Sequence, residues 1–460
     1  MRHGQIRTPT PTSMGWACGP KNCAYSQGIL AFKSGVGCET RACPLIFPRS
    51  VSVNTKMSPV MTPSALTESS ILRQAVEALR AWIENRQFAG YEPFDLLNSP
   101  YLGGAWARKS LSGISLIQFG KRFGGSRFRQ FLKVPVSRNP KALGLCLSAY
   151  CDLARSGFDV SAEAAWLKTE LIRLRSPDES ETSWGYDWNY ISLRGTRLPA
   201  FSVNCIASCF CATAMIEMSE VFGDLEALEI AESAARFLVL RLNRSFESAD
   251  QVCFSYTPND RTLIYNSSAL AGVFLARIGC LRGNATYLGL ARKAMAFLQE
   301  GQLPSGGWYY GQLRRQRWID SFHTSYNVCA LLDYQQITGD RCFEQAMLLG
   351  HRFYQTSLFT DEGAPRYFHN RTFPIDIHAC SQAILHFCAF SSIDPIAPER
   401  ASKTFQWTMS NMAAPDGSFY YQRHRLWTNR TPYMRWGQAW MLRALARLLF
   451  SSASLDSTTV

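Results

Sequence analysis

The chain has 460 residues, 47% of them hydrophobic, and a formal net charge of +13. That is enough apolar material for one large domain or two ordinary ones. No apolar run reaches the 18 or so residues that a bilayer span needs, since the best candidate, Ala439 to Phe450, is broken by Arg443 and Arg447. Nor is the charge a nucleic-acid signature. Residues 1–60 hold seven Lys/Arg against one acid, Glu39, and the remaining charge is spread thinly with no long basic run.

Residues 1–65 are rich in Pro, Gly, Ser, Thr and Cys and have no helical period. They are expected to be disordered, with a transit segment or a true start at Met57 or Met61 as alternatives. Cys18-x4-Cys23 and Cys38-x4-Cys43 admit a four-thiolate zinc site, but the spacing is loose and no apolar residues are placed to pack around a metal. Disorder is preferred. Of the fifteen cysteines, Cys205, Cys209, Cys211, Cys329, Cys380 and Cys388 fall within apolar helical patterns, where a free thiol acts as a small hydrophobe. With no secretory pattern, the expected setting is reducing and cytoplasmic.

From Ser69 onward the pattern is helical. Ile71, Leu72, Val76, Leu79 and Trp82 form an amphipathic stripe. The loop Gly90-Tyr-Glu-Pro-Phe-Asp95 follows, then an apolar segment to about Phe123. Thereafter two kinds of helix alternate. One kind, starting near Pro140, Pro199, Ser267, Ser321, Ile375 and Pro432, is apolar or small-polar nearly all round. The other, starting near Ala162, Leu225, Tyr287, Phe343 and Glu399, has a charged face, as does the helix from Ser69. Helices apolar all round belong inside and amphipathic ones outside. Six of each predict an all-α domain over 66–452, an (α/α)6 toroid of six inner and six outer helices, with a disordered tail at 453–460. An open solenoid is the rival, but it would want polar capping repeats at its ends.

An aromatic, glycine-rich loop precedes each inner helix, as in Trp184-Gly-Tyr-Asp-Trp188, Phe254-Ser-Tyr256, Gly307-Trp-Tyr-Tyr310, Pro365-Arg-Tyr-Phe368 and Gly417-Ser-Phe-Tyr-Tyr421. In a toroid these loops gather at one rim, where Trp and Tyr can stack on sugar rings. Trp184, Tyr186, Asp187, Trp188, Trp308, Tyr309 and Trp436 are the candidate binding residues. In Trp318-Ile-Asp-Ser-Phe-His-Thr-Ser-Tyr-Asn327, Asp320 occupies a helix cap and His323 follows on the same side of the first turn. Pro374-Ile-Asp-Ile-His378 nearly repeats it. A single such Asp is usually a cap. Two Asp/His pairs in one cleft exceed what capping requires and suit acid–base chemistry. Asp320, His323, Asp376 and His378 are therefore the catalytic candidates, flanked by Tyr326, Asn327 and Gln382. Arg435, in an otherwise apolar stretch, needs an anion, either a neighbouring Asp or a substrate carboxylate. No metal site or cofactor motif is found in the helical part, and no Asp-x-Asp-Asp acid of the triterpene cyclases.

The runs Gly90-Tyr-Glu-Pro-Phe-Asp-Leu-Leu-Asn-Ser99, Trp318 to Asn327, Pro374 to His378 and Tyr433-Met-Arg-Trp-Gly-Gln-Ala-Trp440 resemble motifs of the VpsJ-type polysaccharide biosynthesis proteins of bacterial exopolysaccharide clusters. The resemblance covers about residues 67–450. It implies an α/α toroid that makes or tailors a polysaccharide, working beside other proteins of that synthesis. More distantly the chain is similar to glucuronyl epimerases, polysaccharide lyases and toroidal glycoside hydrolases. The expectation is a protein that binds an oligosaccharide and acts on it as a hydrolase, lyase or epimerase. A non-catalytic saccharide-binding partner of a glycosyltransferase is the alternative, and a terpene-cyclase-like toroid is a weaker one.

Overall fold

The computed structural model of the chain describes residues 68–456 apart from 103–110, 178 and 192–196. The expectations for residues 1–65, including the four-cysteine site and the alternative starts, lie outside the described residues. Among the described residues fourteen α-helices dominate, joined by short two- and three-stranded ribbons.

Six helices form the inner ring: α4 (Pro140–Arg155), α6 (Cys205–Phe222), α8 (Tyr265–Arg282), α10 (Ser321–Thr338), α12 (Ile377–Phe390) and α14 (Trp440–Asp456). Each packs on the next, and α14 returns to α4, so the ring closes. The outer helices are α5 (Ser161–Arg173), α7 (Leu225–Leu240), α9 (Ala285–Glu300), α11 (Glu344–Ser357), α13 (Ala397–Met412) and α1 (Glu68–Glu84). α1 packs on α14 and completes the outer layer. The protein is an all-α (α/α)6 toroid. Between α1 and α4 lie a 3-10 turn (Asp95–Asn98), α2 (Leu111–Phe123) and α3 (Ser126–Phe131), which belong to neither ring.

Local chemistry explains the hairpins. Gly223 and Gly283 end α6 and α8 at φ of 70° and 63°, a left-handed turn open to glycine without strain. The next residues, Asp224 and Asn284, at once cap α7 and α9. Gly144 lets α4 approach α6, because a Cβ there would sit 3.0 Å from the Cys211 Cα.

A repeated hydrogen bond stitches the ring. In five of the six inner helices, an amide at or leading into the N-terminus donates to the carbonyl of a tyrosine in the following aromatic loop. Cys205 bonds Tyr256 (2.8 Å), Tyr265 bonds Tyr310 (3.4 Å), Ser321 bonds Tyr367 (2.9 Å) and Ile377 bonds Tyr421 (3.0 Å). Met434, entering α14 through a π-helical turn (Met434–Ala439), bonds Tyr91 (3.0 Å) and closes the circle. Pro140 at the start of α4 has no N–H to offer, and the Tyr186 carbonyl accepts from Phe201 instead.

The opposite end of the ring is plugged by charge. Asp152 of α4 accepts from Arg447 (2.9 Å) and from Arg443 of α14, and Arg443 also reaches Glu217 of α6 (2.8 Å). Burial pushes Asp333 of α10 up to about 6 against the pull of Arg277, Arg447 and Arg443.

Three sequence expectations need correction. Helix α6 begins at Cys205, capped by Asn204, not at Pro199, which lies in the preceding turn. Helix α14 runs to Asp456, past residue 452 where the domain was expected to end. And α6, at 18 residues, is long and apolar enough to cross a membrane by length and composition, though 67% of it is buried in the ring.

Candidate active site at the inner-helix N-termini

Because five of these tyrosine carbonyls accept from an amide at or leading into an inner-helix N-terminus, and the sixth, that of Tyr186, accepts from Phe201, the tyrosines ring that end of the toroid. Tyr91, Tyr186, Tyr256, Tyr310, Tyr367 and Tyr421 are all half-buried. Their rings touch aromatic or phenolic neighbours. The Tyr186 and Tyr256 hydroxyls are 3.3 Å apart, Tyr310 stacks on Trp318 at 4.7 Å, and Tyr367 meets Phe322 edge-on at 5.6 Å.

Within this crown lie the two Asp/His segments, and they differ. Asp320 caps α10 by accepting from the His323 amide (2.9 Å), while its other oxygen meets His323 Nδ1 (2.7 Å) and accepts from the indole of Trp318 (3.0 Å). It is a true carboxylate–imidazole pair at the rim, with His323 partly exposed. Asp376 caps α12 by accepting from the His378 amide (2.8 Å), but its side chain is then taken by Trp436 (2.9 Å) and Gln422 (2.6 Å). The His378 ring turns inward, and its Nε2 lies 2.7 Å from the Tyr326 hydroxyl of α10. One residue of spacing makes the difference. The i+3 position of His323 puts its ring beside its own cap, whereas His378, at i+2, points into the lumen.

Burial sets the protonation. It pushes Asp376 up to about 6. It holds His378 well below the usual imidazole range, helped by Lys141, Arg435 and His323, so this ring is neutral. His378 is stacked between Phe322 (4.5 Å) and Trp440 (4.7 Å), and its Nδ1 has no hydrogen-bond partner among the described residues.

Arg435 meets Glu92 of the first aromatic loop, not an Asp. Nη2 is 3.1 Å from Oε2, and Glu92 Oε1 accepts from the Arg435 amide (2.7 Å). The guanidinium lies over Trp188 (4.9 Å), Tyr186 (5.2 Å) and Trp436 (5.3 Å). Burial pushes Glu92 up to about 8 despite Arg435. The loop is held in turn by Arg129, fully buried, which donates to Asp95 (2.8 Å) and to the Glu92 carbonyl (2.9 Å).

The remaining candidates divide into mouth and core. Tyr326, Asn327 and Gln382 are buried in the lumen wall, with Asn327 Oδ1 and Gln382 Oε1 unpartnered and Gln382 donating to Ser325 (3.1 Å). Tyr309 is half-buried beside Arg317. Trp184 and Trp308, expected to face a sugar, are core wedges instead. Both are almost fully buried and donate their indole N–H to a carbonyl near the end of the preceding outer helix, Leu171 and Leu298 respectively, each at 2.8 Å. Asp187 is consumed by Ser137 and Asn139 and serves the loop. Three residues of the mouth were not singled out from sequence as site residues: Glu92, Lys141 and Tyr310. Lys141 had a legible signal, as a cation at the second position of a helix, Pro140–Arg155, that carries no other charge before Asp152.

No protein-family model matches the sequence, and no curated protein matches it. Solved structures do match in fold. An unsaturated glucuronyl hydrolase specific for heparin aligns with a TM-score of 0.57 at 13% identity, over 85% of this chain and 98% of that one. A cellobiose 2-epimerase from Bacillus thermoamylovorans aligns at 0.53 and 13%, over 70% and 90%. A family 76 glycoside hydrolase from a bovine Bacteroides thetaiotaomicron strain aligns at 0.52 and 14%, over 69% of each chain. At these identities the likeness establishes the toroid and leaves the chemistry to the site itself.

Proposed function

We propose that this protein is a carbohydrate-active enzyme that moves a proton on a saccharide bound at the inner-helix N-termini, an epimerase- or lyase-type reaction. The observation that carries this reading is the Tyr326–His378 contact, 2.7 Å between a phenol and a neutral imidazole facing the lumen. Their shared hydrogen bond leaves one proton donor and one acceptor, whichever nitrogen is protonated, which is what removal and return of a carbon-bound proton require. Asp320 orients His323 at the rim, and the half-buried tyrosines with Trp318 and Trp436 supply stacking faces, whereas Trp188, expected to do so, is buried between Tyr186 and Arg435. The three solved structures named above, an epimerase and two glycan hydrolases by their descriptions, support a saccharide as the substrate class. The VpsJ-type motifs support a place in polysaccharide synthesis.

Hydrolysis is a second reading, favoured by Asp376, whose raised carboxyl at about 6 suits a general acid. Both of its oxygens already accept hydrogen bonds from Trp436, Gln422 and the His378 amide, so it ranks behind the phenol–imidazole pair.

The test is turnover of neutral and uronic-acid oligosaccharides by the wild type beside His378→Gln. Turnover lost with binding retained supports an enzyme of this type. Full activity in His378→Gln removes it, and binding without turnover in both proteins leaves a saccharide-binding partner.

A further inference from the structure

Three Lys or Arg side chains are buried among the described residues, and two have a carboxylate: Arg129 has Asp95 and Arg435 has Glu92. The third, Lys141, is 3% exposed and makes no hydrogen bond or ion pair among the described residues. Its Nζ lies over the rings of Phe210 (4.1 Å), Trp440 (5.1 Å) and Tyr326 (5.9 Å). The position opposes a cation twice over. The first turn of a helix is the positive end of its dipole and attracts anions, and a buried ammonium without a partner is costly. The carboxyl that acts on it, Glu92, does not answer it, because Glu92 is ion-paired with Arg435; the other carboxyls of this end are engaged too, Asp376 by Trp436 and Gln422, Asp320 by His323 and Trp318, and Asp187 by Ser137 and Asn139.

A second observation comes from the same wall. Among the described residues Arg435 Nε and Trp440 Nε1 are buried N–H donors without a hydrogen-bond partner, His378 Nδ1 is likewise unpartnered, and Glu92 Oε2 is met only by the Arg435 ion pair. An ammonium, a guanidinium N–H and an indole N–H together form a donor set, and what satisfies such a set is an anion rich in acceptors.

We propose that Lys141 is the counter-charge for a carboxylate on the substrate, so that the saccharide taken at this mouth is acidic. This rests on the reading of the mouth as a saccharide site and names its class. A uronate carboxylate lies between Lys141 and the free N–H groups of Arg435 and Trp440, which holds the adjoining ring carbon toward Tyr326 and His378. In the free protein, burial and then Arg435 disfavour the charged amine, while Cys211, Glu92 and Cys209 favour it only weakly. Arrival of the carboxylate reverses that balance, so binding takes up a proton.

The experiment is isothermal titration of a β-1,4-linked glucuronic acid oligomer and a cello-oligosaccharide of equal length, in two buffers of different ionisation enthalpy at pH 8. The wild type is expected to prefer the acidic oligomer and to take up a proton with it. Lys141→Met, which keeps the chain length and apolar contacts, is expected to lose roughly 30-fold or more in affinity for the acidic oligomer, to lose the proton uptake, and to leave the neutral one unaffected. The uptake by the wild type needs no variant and stands even if Lys141→Met fails to fold. Equal binding of both oligomers overturns the acidic class and leaves the saccharide reading intact. Uptake that persists in Lys141→Met puts the proton on another group, Glu92 being nearest in character, and overturns the role of Lys141. Binding of neither oligomer overturns both.

Discussion

The Tyr326 hydroxyl lies 2.7 Å from Nε2 of His378, joining two adjacent inner helices within the lumen. The imidazole meets Trp436 in a T-shaped contact, ring centroids 5.0 Å apart, and the Trp436 indole donates to Asp376. A change at Tyr326 therefore tests chemistry and structure separately. Tyr326→Phe keeps the ring and leaves His378 Nε2 unpaired, at a cost of about 1–3 kcal/mol in stability. Turnover is expected to fall about 100- to 10,000-fold. Undiminished kcat in a folded Tyr326→Phe would exclude the phenol from the reaction.

The Glu92–Arg435 pair predicts a pH signature. Burial raises the folded carboxyl from an ordinary 4.5 to about 8, so between those values the folded state holds a proton that the unfolded chain has released. Stability from this group is then greatest at low pH and is lost as pH rises from about 4.5 to about 8. Glu92→Gln should remove that decline from a plot of melting temperature against pH. Parallel curves for the two proteins would mean that Glu92 is charged throughout.

How much of this was legible in the sequence depends on what each residue answers to. The two rings were readable because apolar-all-round and amphipathic helices alternate six times, a pattern set by burial alone. Asp320 and Asp376 were readable as caps, since capping is local. The roles of the tryptophans were not. The same aromatic loop supplies a wedge for the core and a face for the mouth, and only the turn geometry decides which is which. Thus Trp308 turns back toward Leu298, while Trp318, ten residues on, stays 36% exposed. Glu92 and Arg435 are 343 residues apart and come together only because α14 closes the ring.

That division makes a paired prediction. Trp308→Ala should cost about 3–5 kcal/mol of stability and leave saccharide affinity of the folded protein unchanged. Trp318→Ala should barely move the melting temperature and weaken saccharide binding by about 1 kcal/mol. Calorimetric melts and binding titrations on both variants decide it, and the reverse pattern would return Trp308 to the binding surface.

At the far end of the ring, Arg443 bridges Asp152 and Glu217. Arg443→Met leaves the buried Glu217 without that partner and should destabilise the protein by about 3–5 kcal/mol. KM should not change, because the partners of Arg443, Asp152 and Glu217, lie toward the C-terminal ends of α4 and α6, away from the Asp/His segments. A urea-unfolding loss below about 1 kcal/mol would show that the plug behaves as a surface ion pair.

The most direct test of the central claim is deuterium exchange into sugar. Uronic-acid oligomers are incubated in D2O with the wild type and with Tyr326→Phe and followed by NMR. Proton transfer by the Tyr326–His378 pair predicts deuterium at a ring carbon, or a new unsaturated end, with the wild type and neither with Tyr326→Phe. Oligomer cleaved without exchange or unsaturation, or exchange at the wild-type rate in Tyr326→Phe, would contradict it.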